Sequence, residues 1–210
     1  MNSKKVLAGR IKPAFAFRKV DNLNIVVVWS SPNKDGLTAF AKESFLRGIR
    51  KTDSKIEEIH LNETKMEHCR ACGRGWGLCS SAGKCVIKDD FEDIYSELTK
   101  ADGIVFISAV YWHDMTECMK AFIDRLRRCE TAHNRYLAGK RCFLIACAGG
   151  TGLGAVECLH SMEEALKHMG MRAYDRIPVI RFNKEYMLPA LENAGEIYSI
   201  RVKDGFDMQY

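Results

Sequence analysis

Four cysteines pose the first chemical question. Cys69, Cys72, Cys79 and Cys85 are spaced C-x2-C-x6-C-x5-C in a stretch rich in Gly and Arg. Thiolates at that density could hold a [4Fe–4S] cluster or a zinc ion, since four cysteines commonly bind either. They could equally be small, partly buried thiols of an ordered loop. A second candidate is the run from Ser31 to Thr38, made of turn formers that lead from an apolar stretch into a helical one. Free backbone N–H groups and the positive end of a helix dipole make such a junction an anion site. Ser31, Asn33 and Thr38 add side-chain donors there, Lys34 adds a nearby charge, and Gly36 permits close backbone approach. The competing reading is an ordinary turn with Thr38 as helix cap. No G-x-x-x-x-G-K-[ST] occurs, so this is not a Walker loop. A third candidate is the glycine run Gly149, Gly150, Gly152, Gly154. With Ala155 it fits G-x-G-x-x-A, and Asp175 follows about twenty residues on, but a dinucleotide fingerprint belongs to the first βα pair and this one follows the fourth strand. No convincing Ser/His/Asp or paired-carboxylate constellation appears.

The elements that must position these residues follow from periodicity. Asn24–Trp29 is a short β-branched run, the pattern of a strand buried on both faces. A helix with Ala41, Phe45 and Ile49 on one face follows, then a second strand at Lys55–Leu61. Residues 66–88 form the Cys/Gly-rich excursion. Asp89 and Asp90 precede a helix through Leu98, placing negative charge where its dipole favours it. Gly103–Val110 is the third strand, and a helix from about Thr116 to Cys129 follows. Arg141–Ala148 is the fourth strand. The helix from Ala155 to Met169 carries Val156, Leu159, Met162, Leu166 and Met169 on one stripe. Met171–Phe182 contains the fifth strand, and a last helix covers Leu188–Ile200. Five alternations predict an open parallel sheet covered on both faces. Ligands bind such sheets beyond the C-terminal strand ends, which places the loops after Trp29, Val110 and Ala148 together.

Three segments resemble one family. Ser30–Thr38, S-S-P-N-K-D-G-L-T, is similar to the G-S-P-R-x-x-G-N-T loop of NAD(P)H-dependent FMN reductases and iron–sulfur flavoproteins, which wraps the FMN phosphate. Residues 107–126, I-S-A-V-Y-W-H-D-M-T-E-C-M-K-A-F-I-D-R-L, resemble the S-P-V-Y-W-G segment whose strand end lines the flavin ring. Residues 148–154, A-G-G-T-G-L-G, resemble the glycine loop covering the other side of the ring. The resemblance implies a flavodoxin-like three-layer sandwich with a five-stranded parallel sheet. It implies FMN held by Ser31, Asn33, Lys34, Gly36, Leu37 and Thr38, by Ala109, Val110, Tyr111, Trp112 and His113, and by Gly149, Gly150 and Gly152. Asn33 stands where the family has a basic residue, Leu37 where it has Asn, Ala109 where it has Pro, and His113 where it has Gly. No catalytic residue is certain, and His113 is a candidate donor to the flavin or a quinone-like substrate. With FMN bound the cofactor carries the redox chemistry, NAD(P)H being the hydride-donating co-substrate and a flavin, quinone or similar small molecule the acceptor. An electron-transfer protein serving protein partners is the alternative, and a structural zinc module a third reading. The gap of six residues between Cys72 and Cys79 departs from the family's compact cluster spacing, so no cluster is expected. Arg74 and Trp76 in that gap instead suggest a loop that presents a cation to the nicotinamide phosphates.

Bulk properties bound the rest. At 210 residues, with 47% apolar and 28% charged, the chain suits one soluble domain. No run is long and apolar enough for a membrane span, and nothing resembles a secretory signal, so the nine cysteines are expected reduced in a cytoplasmic protein. Cys118, Cys129, Cys142, Cys147 and Cys158 fall at core-compatible positions. The net charge of +5 comes from the start: Lys4, Lys5, Arg10, Lys12, Arg18 and Lys19 precede the first acid, Asp21. Residues 1–22 read as a basic arm, and 23–210 as a near-neutral domain with no nucleic-acid signature. A homo-oligomer is expected, as the family's flavin lies at a subunit boundary.

Overall fold

The computed structural model describes residues 22–75, 77–132 and 135–205. The expected basic arm, apart from Asn22, lies outside the described residues, as does Trp76. Six strands and six helices follow in chain order: β1 (Leu23–Ser30), α1 (Leu37–Arg50), β2 (Ser54–His60), α2 (Leu78–Ala82), α3 (Phe91–Lys100), β3 (Gly103–Tyr111), β4 (Asp114–Met115), α4 (Glu117–Glu130), β5 (Arg141–Ala148), α5 (Ala155–Lys167), β6 (Arg172–Ile180) and α6 (Lys184–Lys203). The parallel strands run in the order β2-β1-β3-β5-β6, with β4 attached antiparallel to the end of β3. Counting only the parallel strands, this is the 2-1-3-4-5 doubly wound order, with its switch point between β1 and β3.

Strand periodicity divides the core into two layers. In β1, Ile25, Val27 and Trp29 face α1 and α6, whereas Val26 and Val28 face α3, α4 and α5. Each face buries its own apolar cluster, which makes the fold a three-layer sandwich. On the first face, α1 and α6 touch backbone to backbone. A Cβ on Gly48 would lie 1.9 Å from the Glu192 carbonyl oxygen, and one on Gly195 would lie 2.2 Å from that of Phe45. Tyr198 is fully buried beneath them, its hydroxyl donating to the Ile104 and Arg141 carbonyls and accepting from the Ile104 N–H.

On the second face, the Arg125 side chain is buried and forms two bonds to Asp89, at 2.6 and 2.8 Å, and one to the Glu67 carbonyl at 2.9 Å. Its guanidinium lies 4.4 Å over the Phe91 ring. Asp89, expected only to favour the α3 dipole, is thus the ionic tie between α3, α4 and the excursion. Burial alone would raise its carboxyl. The Arg125 bonds and the N–H groups of Glu67 and Phe91 more than offset that and hold it below the usual range.

The sequence reading needs four adjustments. The sheet gains β4, too short for any periodicity to show. The excursion contains the five-residue α2. The last helix starts four residues earlier than expected and runs on to Lys203. Val156 is exposed rather than on the buried stripe of α5, which Ala155, Cys158, Leu159, Met162 and Leu166 form instead.

Candidate functional site

Three loops at the C-terminal edge of the sheet enclose an open cleft of about 580 Å³, within the ordinary range for a cofactor-sized ligand. The first loop follows β1. Ser31 Oγ accepts from the Asn33 N–H at 3.3 Å and donates back to the Asn33 carbonyl at 3.2 Å, curling the chain. His60 holds the same turn through its Nε2 contact with the Ser31 carbonyl at 2.8 Å. Its ring stacks on Trp29 with centroids 3.7 Å apart. The cap of α1 is Gly36, not Thr38, and no side chain caps the helix or places an acid in its first turn. The leading N–H groups of α1 therefore open toward the cleft with their dipole uncompensated.

The second loop is a tight hairpin. Val110 pairs with Met115 and Tyr111 with Asp114, which leaves Trp112 and His113 as its two turn residues. Both have positive φ, 48° and 70°, as a type I′ turn demands and as Asn-Gly would normally supply. Non-glycine residues held there cost about 1–3 kcal/mol each, strain that concentrates at functional sites. The third loop braces this turn: a Cβ on Gly154 would lie 2.6 Å from the His113 Cα, so only glycine fits. Beneath the loops, a buried hydroxyl group of Ser30, Ser108 and Thr116 ties the ends of β1 and β3 to the start of α4. Ser30 bonds Thr116, the Thr116 N–H donates to Ser108 Oγ at 3.0 Å, and Thr116 caps α4.

Most residues expected from sequence meet here. Ser31, Asn33, Gly36, Leu37 and Thr38 line the cleft with Ala109 to His113, Gly149 and Gly150. Two do not. The Lys34 ammonium pairs with Glu63, and Gly152 turns away from the cleft so that a Cβ there would touch Ile180 at 3.3 Å. Cys147, Ala148, Thr151 and Leu153 also line the cleft. The strand-end rule could have found the first two, since β5 ends there. Burial pushes the Cys147 thiol up to about 12, so it stays protonated and is no nucleophile. Among the described residues the lining holds no Lys, Arg, Asp or Glu. Such a site can bind and orient a group that brings its own reactivity. It has little means of acid–base catalysis beyond His113, whose Nδ1 lies 3.9 Å from Glu157.

The cysteine excursion is elsewhere. Cys69, Cys72, Cys79 and Cys85 line a separate small cavity of about 20 Å³ with Arg128, and the Gly75 carbonyl accepts from Arg128 at 2.7 Å. Arg128 lies eleven residues beyond Glu117, about 16 Å along α4 from its first residue at 1.5 Å per residue. Arg74 does not line the cleft. Among the described residues, no three Cys, His, Asp or Glu side chains form a metal-ligating group. Four of the remaining cysteines, Cys129, Cys142, Cys147 and Cys158, are buried as expected, and Cys118 is half-buried.

Comparison with known proteins identifies the family and the fold. The family model described as NADPH-dependent FMN reductase matches residues 23–182. An iron-sulfur flavoprotein of Archaeoglobus fulgidus is 28% identical over 130 residues, covering 62% of this chain and 56% of that protein. One from Clostridioides difficile is 33% identical over 104 residues, covering 48% and 44%. The chain thus spans about half the length of these relatives. Among solved structures, the NAD(P)H:quinone oxidoreductase of Methanothermobacter marburgensis superposes with a TM-score of 0.62 at 18% identity, over 84% of this chain and 97% of that one. An azoreductase of Bacillus anthracis gives 0.61 at 14% identity, over 88% and 100%. A flavodoxin from the Archaea gives 0.58 at 18% identity, over 86% and 99%. These likenesses show a flavodoxin-like fold. With the matched segment running from the first residue of β1 to just beyond β6, the chain belongs to the NADPH-dependent FMN reductase family.

Proposed function

We propose that this protein is an FMN-dependent oxidoreductase that takes hydride from NAD(P)H and delivers it to a small acceptor such as a flavin or quinone. One observation carries the reading. The uncapped N-terminus of α1 opens into a cleft whose lining, among the described residues, holds no Lys, Arg, Asp or Glu. The residues fit FMN: the N–H groups of α1 and the Thr38 hydroxyl suit a phosphate monoester. Gly149 and Gly150, where an added Cβ would meet nothing within 4 Å, leave room over a flat ring. Val110 to Trp112 bound the opposite side. When bound, FMN supplies the two-electron chemistry, and the protein supplies binding, orientation and exclusion of water. The test is an absorption spectrum of the purified protein, followed by anaerobic addition of NAD(P)H. Flavin bands that bleach on addition are expected. A colourless protein that takes up no added FMN would refute the reading.

A second reading, an electron-transfer protein with a cluster in the excursion, is favoured by the shared cavity of the four cysteines. Relatives named iron-sulfur flavoproteins also support it. We place flavin alone first because of the wide Cys72–Cys79 gap. Stoichiometric iron and acid-labile sulfide in anaerobically prepared protein would reverse that order. No helix among the described residues is long and apolar enough to cross a membrane, and a cytoplasmic location belongs to the same proposal. So does a homo-oligomer with the cleft at its interface.

A further inference from the structure

The cleft offers hydrogen bonds and apolar surface but no fixed charge for a dinucleotide's phosphates. Any such charge must be met at the rim, and the rim is polarised. On the hairpin side stand Asp114, Glu117 at the first turn of α4, and Glu157 at the first turn of α5. Those carboxylates repel an anionic chain. Arg181 and Lys184, with Glu185 beside them, follow the C-terminal end of β6. The Arg181 N–H donates to the Ala148 carbonyl at 3.2 Å. Ala148 lines the cleft, so Arg181 begins where the cleft floor ends. Among the described residues neither Arg181 nor Lys184 forms an ion pair, whereas Lys34, the other cation near the cleft, is taken by Glu63.

Arg181 is also held in place. Its guanidinium lies 4.4 Å over the Phe182 ring, and that ring is 64% exposed at the protein surface. Cation–π stacking favours a guanidinium lying flat on the ring, an orientation that turns its N–H edge outward toward a planar, bidentate anion. An exposed aromatic carrying an ordered arginine matches both halves of an adenosine phosphate, a flat base and a dianion.

We propose that Arg181 and Phe182 form the subsite for the adenosine end of the hydride donor. Arg181 binds the ribose 2′-phosphate, and Phe182 packs against the adenine. The pair thereby selects NADPH over NADH, an inference that rests on the reading of the cleft as the nicotinamide site.

The test uses the whole protein loaded with FMN. Calorimetric titration with 2′,5′-ADP reads the subsite without any turnover. Arg181→Ala is expected to weaken 2′,5′-ADP binding about tenfold or more, with Arg181→Lys intermediate and flavin content unchanged in both. In steady state, Arg181→Ala should raise KM for NADPH about tenfold more than KM for NADH. Equal 2′,5′-ADP affinity in wild type and Arg181→Ala, or no binding to wild type, would overturn the subsite. So would equal rises in the two KM values. Reduced nicotinamide mononucleotide, which lacks the adenosine end, separates this from the functional reading. If wild type oxidises neither it nor the dinucleotides, the reductase reading fails and the subsite with it; if wild type oxidises all three but binds 2′,5′-ADP no better than Arg181→Ala, the subsite alone fails.

Discussion

Thr38 shows what one residue contributes to the site. It is buried, it lines the cleft, and its hydroxyl neighbours the Cys147 thiol rather than capping α1. A phosphate at the α1 N-terminus would receive that hydroxyl as a donor to charge, a bond worth about 1–3 kcal/mol. Thr38→Ala should therefore weaken FMN affinity about ten- to hundredfold in a titration of apoprotein, with thermal stability little changed. Unchanged affinity would move the phosphate elsewhere. Lys34→Ala should weaken FMN far less, because that ammonium is already spent on Glu63 at an exposed position. These two residues show how legible the loop was. Turn chemistry and strand position marked Ser31, Gly36 and Thr38, since those properties are local. Lys34 points to Glu63 instead of lining the cleft, because that partner arrives from the turn after β2, which no spacing in the loop reports.

Elements are joined by contacts that sequence patterns also hide. Periodicity marks the buried faces of α1 and α6, but not that the two helices approach through Gly48 and Gly195. Gly48→Ala drives a methyl against the Glu192 carbonyl, with no flexible side chain to yield. The expected cost is about 1–3 kcal/mol or more, a fall in Tm of roughly 2–4 °C per kcal/mol in a chain this size. Calorimetry would read it, and an unchanged Tm would mean the helices separate easily. The Asp89–Arg125 pair makes a second prediction, with a defined sign. The Asp89 pKa is lowered by folding, so its stabilisation is fully present above the unfolded value near ~4. It is lost as pH falls through the lower folded value. Asp89→Asn should destabilise by about 3–5 kcal/mol at neutral pH, because it strands a buried guanidinium. The gap between variant and wild type should narrow below pH ~4 in denaturant titrations. A gap that stays constant into acid would show that the charge of Asp89 is immaterial.

At the scale of the whole molecule, the parallel sheet covered on both faces and the meeting of three distant loops were readable, because parallel βα alternation leaves few topologies. The excursion was not, since residues 66–88 have no periodicity and their placement along α4 depends on Arg125 and Arg128 reaching them from another element. The surface raises one further question. Trp112 is 97% exposed, and beside it, across the Gly154–His113 contact, Leu153 is 65% and Val156 66% exposed. Trp112, held out in the strained turn, is thus one of three large apolar side chains exposed around the cleft mouth, a kind of surface soluble monomers rarely leave bare. The homo-oligomer proposed above would place a second copy of the chain there. A two-fold axis near Trp112 would bury both turns at the mouths of both clefts. Light scattering at micromolar concentration should then give at least twice the mass of one chain. Trp112→Glu should shift that mass toward the monomer and loosen FMN, while the far-ultraviolet circular dichroism stays that of wild type. A monomeric wild type would refute the assembly. An oligomer unaffected by Trp112→Glu would place its interface on another face, and the bare tryptophan would then belong to substrate capture within one chain.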